Sequence, residues 1–173
     1  EALAHGNLIM VTSALAGEGK TFSSVNLAMS IAAELDHTVM LVDADVLRPS
    51  VVTRLGLGEQ LDERPGLLDV LAGKADMGSA VVRTNLDKLT LLPAGRHHEH
   101  ATELLASEAM SRLLDEIARR YRDRIVIFDS PPLLQTTEAR ALAAHMGQIV
   151  VVVQAGRTLQ ADVQNALAAV EAC

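Results

Sequence analysis

The chain has 173 residues, enough for one domain with its own core. Apolar residues make up 49% of it and aromatic residues only 2%, so that core must be assembled from Ala, Val, Leu and Ile, which suits a sheet covered by helices. The formal net charge of −7 weighs against DNA or an anionic membrane surface as a direct partner, and the lone Cys173 excludes an internal disulfide or a Cys-x-x-Cys metal site. In chain order, the run LIMV (Leu8–Val11) reads as a first strand, followed by a glycine-containing segment and a helical pattern over Thr21–Leu35. VMLV (Val39–Val42) is a second strand. Residues 56–66 form the expected surface loop, and Pro65-Gly66 opens a short helix in LLDVLAG. LTLL (Leu89–Leu92) is a further strand, then come a helical pattern over Thr102–Tyr121, the strand IVIF (Ile125–Phe128), a helix over Thr137–Met146, the strand IVVVV (Ile149–Val153) and a helix over Leu159–Glu171. The main apolar runs do not alternate with polar residues, so both faces of those strands are expected to be covered. The reading is an α/β protein with a doubly wound, mostly parallel sheet and helices on both faces, in one domain over residues 1–173.

The segment SALAGEGKT (Ser13–Thr21) lies between the first strand and the first helix. Ala14-x-x-x-x-Gly19-Lys20-Thr21 fits a relaxed phosphate-binding loop with Ala in place of the first Gly. Gly17 and Gly19 admit backbone conformations closed to other residues, so successive N–H groups can converge on one anion. The helix aims its positive end at the same point. Lys20 then reaches the β/γ-phosphates and the Thr21 hydroxyl ligates Mg²⁺. Acidic partners for a metal end two other strands. Asp43 and Asp45 follow VMLV, and Asp129 follows IVIF ahead of Pro131-Pro132. Ligands of doubly wound sheets bind outside the carboxyl ends of the strands, so the loop and the three carboxylates are expected at one rim. For Asp43 and Asp45 the competing role is a helix cap or turn.

SALAGEGKT, VMLVDADVLRPS and IVIFDSPP resemble the Walker A, A′ and B motifs of the bacterial tyrosine autokinases of capsule and exopolysaccharide synthesis, the CpsD/CapB/Wzc type within the MinD/ParA-like P-loop ATPases. PGLLDVLAG and LLPAGRHHEHATELLAS resemble intervening segments, so the likeness spans nearly the whole chain. The resemblance implies a P-loop kinase that uses ATP and Mg²⁺ to phosphorylate tyrosines in a C-terminal cluster. It places Gly17, Glu18, Gly19, Lys20, Thr21 and Phe22 around the phosphates. Thr21, Asp45 and Asp129 are implied to hold Mg²⁺, and Asp43 to act as base or orienter for the attacking hydroxyl. The implied partners are a transmembrane polysaccharide co-polymerase as activator and further copies of the chain, with no nucleic acid. The implied location is cytoplasmic, at the inner face of the membrane through that partner. The sequence departs from the pattern at Ala16, where proline is common, and at Leu47, which precedes Arg48 in the place usual for the base. The family's Glu-x-x-Arg-x-x-Arg motif and its tyrosine cluster would lie before residue 1 and after residue 173, so the chain is expected to be a segment of a longer protein; Tyr121 is its one tyrosine.

Two rivals share the fold. A MinD/ParA-type ATPase switch without kinase activity usually has a lysine where Leu15 stands, and an iron–sulfur carrier needs a cysteine pair. A degenerate nucleotide-binding regulator is disfavoured by the intact Lys20, Thr21, Asp43, Asp45 and Asp129. The run RHHEH (Arg96–His100) lacks carboxylates at defined ligand spacing and reads as a solvated loop rather than a metal site.

Overall fold

The structure is a computed structural model that describes residues 5–61, 64–121 and 123–171. In chain order the elements are β1 (Leu8–Ser13), α1 (Lys20–Ala33), β2 (Thr38–Asp43), α2 (Val51–Arg54), α3 (Gly58–Leu61), α4 (Leu67–Leu71), α5 (Met77–Ala80), β3 (Val82–Arg83), β4 (Leu89–Leu92), α6 (Ala101–Leu105), α7 (Glu108–Arg120), β5 (Arg124–Asp129), α8 (Thr137–Ala143), β6 (Gln148–Val152) and α9 (Gln160–Glu171). The strand order is β3-β4-β2-β5-β1-β6. Every pairing is parallel except β3 with β4. This is the expected doubly wound sheet. Its central strand, β5, pairs with β2 on one side and β1 on the other, and the register sets Asp43 beside Asp129.

The pleat explains the unbroken apolar runs. Met10, Met40, Val126 and Phe128 enter one core with α4, α6, α7 and α8. Val11, Leu41, Leu91 and Ile127 enter a second core under α1, α2 and α3. Successive residues face opposite sides, and both sides are roofed. β6 departs from this expectation. It is an edge strand paired only with β1, and Val150 is 40% exposed. A run of valines fits a covered or an open strand equally well, so its sequence does not distinguish the two.

The pattern over Thr102–Tyr121 divides into α6 and α7. Ser107 interrupts it: its hydroxyl donates to the Leu104 carbonyl (2.7 Å) and receives the Met110 N–H (3.4 Å), making Ser107 the N-cap of α7. The loop expected over 56–66 holds the one-turn α3. The short helix after Pro65-Gly66 is α4, at Leu67–Leu71. Its entry is a close backbone crossing. Leu67 and Leu68 donate N–H to the Pro93 and Ala94 carbonyls at 2.8 and 2.9 Å. A Cβ on Gly66 would stand 2.3 Å from both the Gly95 nitrogen and the Pro93 oxygen. Gly66→Ala should therefore destabilise the fold by about 1–3 kcal/mol, the range for overpacking against atoms that cannot step aside. Urea unfolding measures this, and a change under about 0.5 kcal/mol would contradict the crossing.

Candidate active site at the carboxyl rim

The loop from Ala14 to Gly19 joins the end of β1 to the start of α1. Gly17 and Gly19 have φ of +82° and +98°, in the left-handed region that side-chain-bearing residues avoid. Gly19 precedes the first residue of α1, Lys20, so the free N–H groups of the helix start face the loop. Lys20 is buried, with 7% exposure. Its Nζ lies 3.9 Å from Asp45 Oδ2. Such a lysine has lost most of its water and faces carboxylates instead.

The three expected aspartates converge here, and all are buried. Asp43 Oδ2 accepts the N–H groups of Ser50 (3.1 Å) and Val51 (3.0 Å), so the capping role weighed from sequence is real for one of its oxygens. Asp43 Oδ1 has no hydrogen-bond partner, and the same holds for Asp129 Oδ2. Burial pushes the Asp43 carboxyl up to about 7, and repulsion from Asp129 and Asp45 adds to this against the two backbone donors. Burial also raises Asp45, opposed chiefly by Lys20, and raises Asp129, opposed by the hydroxyls of Thr21 and Ser24 and by Lys20. Two buried, unpartnered carboxylate oxygens beside raised carboxyls are costly unless a cation meets them. That donor chemistry fits a hard divalent ion. No group of three or more His, Cys, Asp or Glu among the described residues forms a metal cage alone. A Mg²⁺ that completes its shell with water and phosphate needs no such cage.

Two serines that spacing rules do not single out belong to the site. Ser24 lies one turn beyond Lys20 on α1, and its hydroxyl sits 2.9 Å from both the Lys20 carbonyl and Asp129 Oδ1. Ser50 stands 2.9 Å, hydroxyl to hydroxyl, from Thr21 while its N–H holds Asp43. Position i+4 from the loop lysine is the one sequence signal for Ser24; Ser50 has none, because its contact crosses two loops. Two expected phosphate-lining residues turn their side chains elsewhere. The Phe22 ring is 64% exposed, and the Glu18 carboxylate accepts the Leu15 N–H at 2.7 Å. Both leave only their backbone for a phosphate. Arg48 is exposed and donates its N–H to the Asp45 carbonyl at 3.0 Å. His97, His98 and His100 lie apart from the site in their loop, where His98 Nδ1 accepts the His100 N–H.

A family model described as AAA domain matches residues 6–171. The tyrosine-protein kinase YwqD of Bacillus subtilis is 34% identical over 165 residues, which take in 95% of this chain and 67% of that protein. The chain belongs to the bacterial tyrosine-protein kinases. It is 30% identical to the tyrosine-protein kinase wzc of Salmonella typhi, but spans only 22% of that relative's length. The kinase domain of the Escherichia coli tyrosine kinase ETK superposes with a TM-score of 0.87 at 26% identity, over 98% of this chain and 64% of that one. The cell division ATPase MinD of Pyrococcus furiosus shares the fold at a TM-score of 0.67, over 85% of this chain and 59% of that one. A kinase domain of this P-loop type implies nucleotide binding.

Proposed function

We propose that this chain is the catalytic domain of an ATP- and Mg²⁺-dependent protein-tyrosine autokinase that regulates exopolysaccharide or capsule synthesis and export. The observation that carries the reading is the meeting of Lys20, Thr21, Asp43, Asp45 and Asp129 at one rim, with buried carboxylate oxygens left for a cation. The backbone N–H groups of Gly17 to Phe22 cradle the phosphates, and Lys20 takes the β/γ oxygens. Thr21, Asp45 and Asp129 would hold Mg²⁺. When bound, that ion supplies charge neutralisation on the transferred phosphoryl group. Asp43 orients the acceptor hydroxyl and takes its proton as the tyrosine oxygen bonds to the γ-phosphorus and ADP leaves. Ser24 and Ser50 fix Asp129 and Thr21 in place.

No helix among the described residues is long and apolar enough to cross a membrane. The membrane connection in this proposal runs through a partner, a transmembrane polysaccharide co-polymerase that activates the kinase from the inner face. The acceptor tyrosines then lie on a neighbouring copy, outside this domain. Tyr121 is a poor acceptor. It caps the carboxyl end of α7 and precedes β5, whose six residues span about 20 Å to the rim. Asn7 Nδ2 holds its carbonyl at 3.0 Å, and the Arg124 guanidinium stands 4.9 Å from its ring centroid. After incubation with ATP and Mg²⁺, mass spectrometry should find Tyr121 unmodified in the 173-residue chain, and phosphotyrosine on added C-terminal sequence in the full-length protein. Stoichiometric phosphate on Tyr121 would refute this placement. Nucleotide hydrolysis without phosphotyrosine in the full-length protein would favour the MinD/ParA-type switch.

A further inference from the structure

A phosphate loop exists to hold a polyanion, yet this one carries a carboxylate at Glu18, between its two left-handed glycines. The side chain is buried, with 7% exposure, and both of its oxygens are taken by neutral donors. Oε2 accepts the Leu15 N–H at 2.7 Å, closing the first turn of the loop on itself. Oε1 accepts the hydroxyl of Thr158, a residue remote in sequence that follows β6. The direction of that bond is fixed by its surroundings. Thr158 Oγ already receives the Gln154 N–H at 3.0 Å, so its one proton is free for the carboxylate.

The segment that presents Thr158 is a compact turn. The Arg157 and Thr158 N–H groups both reach the Gln154 carbonyl, at 3.1 and 3.0 Å, and Gly156 supplies the left-handed residue at φ +74°. The elements on either side are weakly anchored: β6 is an edge strand, and α9 buries only Ala166. The Thr158 hydroxyl therefore ties an otherwise loose corner of the sheet to the loop that binds phosphate.

We propose that Thr158 is a positioning residue of the nucleotide site, acting through Glu18. Its hydroxyl keeps the loop's own negative charge turned away from the phosphates and holds the Leu15 turn closed. This inference rests on the nucleotide-binding reading given above. Without the hydroxyl, the carboxylate has lost one of its two donors and can rotate toward the bound anion, where like charge opposes binding. The penalty then grows with the number of phosphate charges and depends on the charge of Glu18.

Titration of wild type, Thr158→Val, Thr158→Ser, Glu18→Gln and the Glu18→Gln/Thr158→Val double variant with N-methylanthraniloyl derivatives of ADP and ATP tests this. Thr158→Val should weaken ATP binding about tenfold, the scale of a hydrogen bond to a charged group, and ADP binding by less. Thr158→Ser should bind as wild type. In the Glu18→Gln background the valine change should have little further effect, because no charge remains to be turned away. Amide exchange of the nucleotide-free protein reads the latch itself: Thr158→Val should speed exchange at Leu15 and Gln154 while leaving the amides of β5 protected. Unchanged exchange at Leu15, an equal loss of ATP and ADP affinity, or the same loss with Glu18→Gln in place would overturn the proposal. If wild type binds neither nucleotide, the nucleotide reading itself falls, and the exchange experiment still reports whether Thr158 holds the loop.

Discussion

Lys20→Met should reduce ATP turnover by roughly 30- to 900-fold, since removing one charge-assisted donor to a developing phosphoryl charge costs about 2–4 kcal/mol. The burial of Lys20 sharpens this expectation. A buried ammonium 3.9 Å from Asp45 has no room to be replaced by a mobile solvent cation without rearrangement. The same burial adds a second effect. Lys20 is the main counterweight to the raised Asp45 carboxyl and one of those acting on Asp129. Methionine fills the space but leaves these carboxylates facing one another. The variant should melt below wild type in alkaline buffer and close to it in acid, where the carboxyls are protonated. Turnover within twofold of wild type would remove Lys20 from the phosphate site.

The nucleotide-free protein should lose stability as pH rises from about 4 to about 7, against the usual behaviour of paired surface carboxylates. The sign follows from the direction of the shifts. Asp43 is raised from 3.8 to about 7 in the fold, chiefly by burial, and Asp45 and Asp129 are raised as well. In that window the folded protein retains protons that the unfolded chain has released, so the folded state is fully favoured below the unfolded value and weakens until the folded carboxyl has ionised. For Asp43 alone the linkage amounts to about 4 kcal/mol. Asp43→Asn should flatten the profile and melt above wild type at about pH 8, because the amide oxygen still receives the Ser50 and Val51 N–H groups and the charge is gone. Turnover should nevertheless fall at least tenfold, and combinations with Asp45→Asn or Asp129→Asn should fall far short of the multiplied single effects, as for residues acting as a unit. Parallel melting profiles for Asp43→Asn and wild type would show that this carboxyl is ionised at little cost.

What could be read from the sequence was whatever chemistry ties to fixed spacing. A phosphate loop needs Gly17, Gly19, Lys20 and Thr21 in that order, and a strand that ends in Asp43 or Asp129 announces a rim. The sheet followed from apolar runs too continuous for a half-exposed strand. The contacts of Ser24, Ser50 and Thr158 were not legible, because each depends on which loops the topology brings together. The two-residue strand β3 is too short to have a period, and the break at Ser107 falls inside an apolar stripe that continues on both sides of it. The exposure of β6 is not legible in its sequence for a related reason: hydropathy reports what a strand tolerates, while its neighbours decide what covers it.

The middle position of β5 bears on how the protein comes into being. β1 and β2 leave the ribosome early, but they do not pair with each other; the strand that joins them and brings Asp129 is made only after α7. Until then the phosphate loop lacks its third acidic neighbour and the sheet has a gap through its centre. The nascent amino-terminal half is therefore unable to assemble the proposed metal-binding rim, and nucleotide can reward only a chain that has inserted β5 between β1 and β2. Added nucleotide and Mg²⁺ should leave early folding steps untouched and slow unfolding of the finished domain.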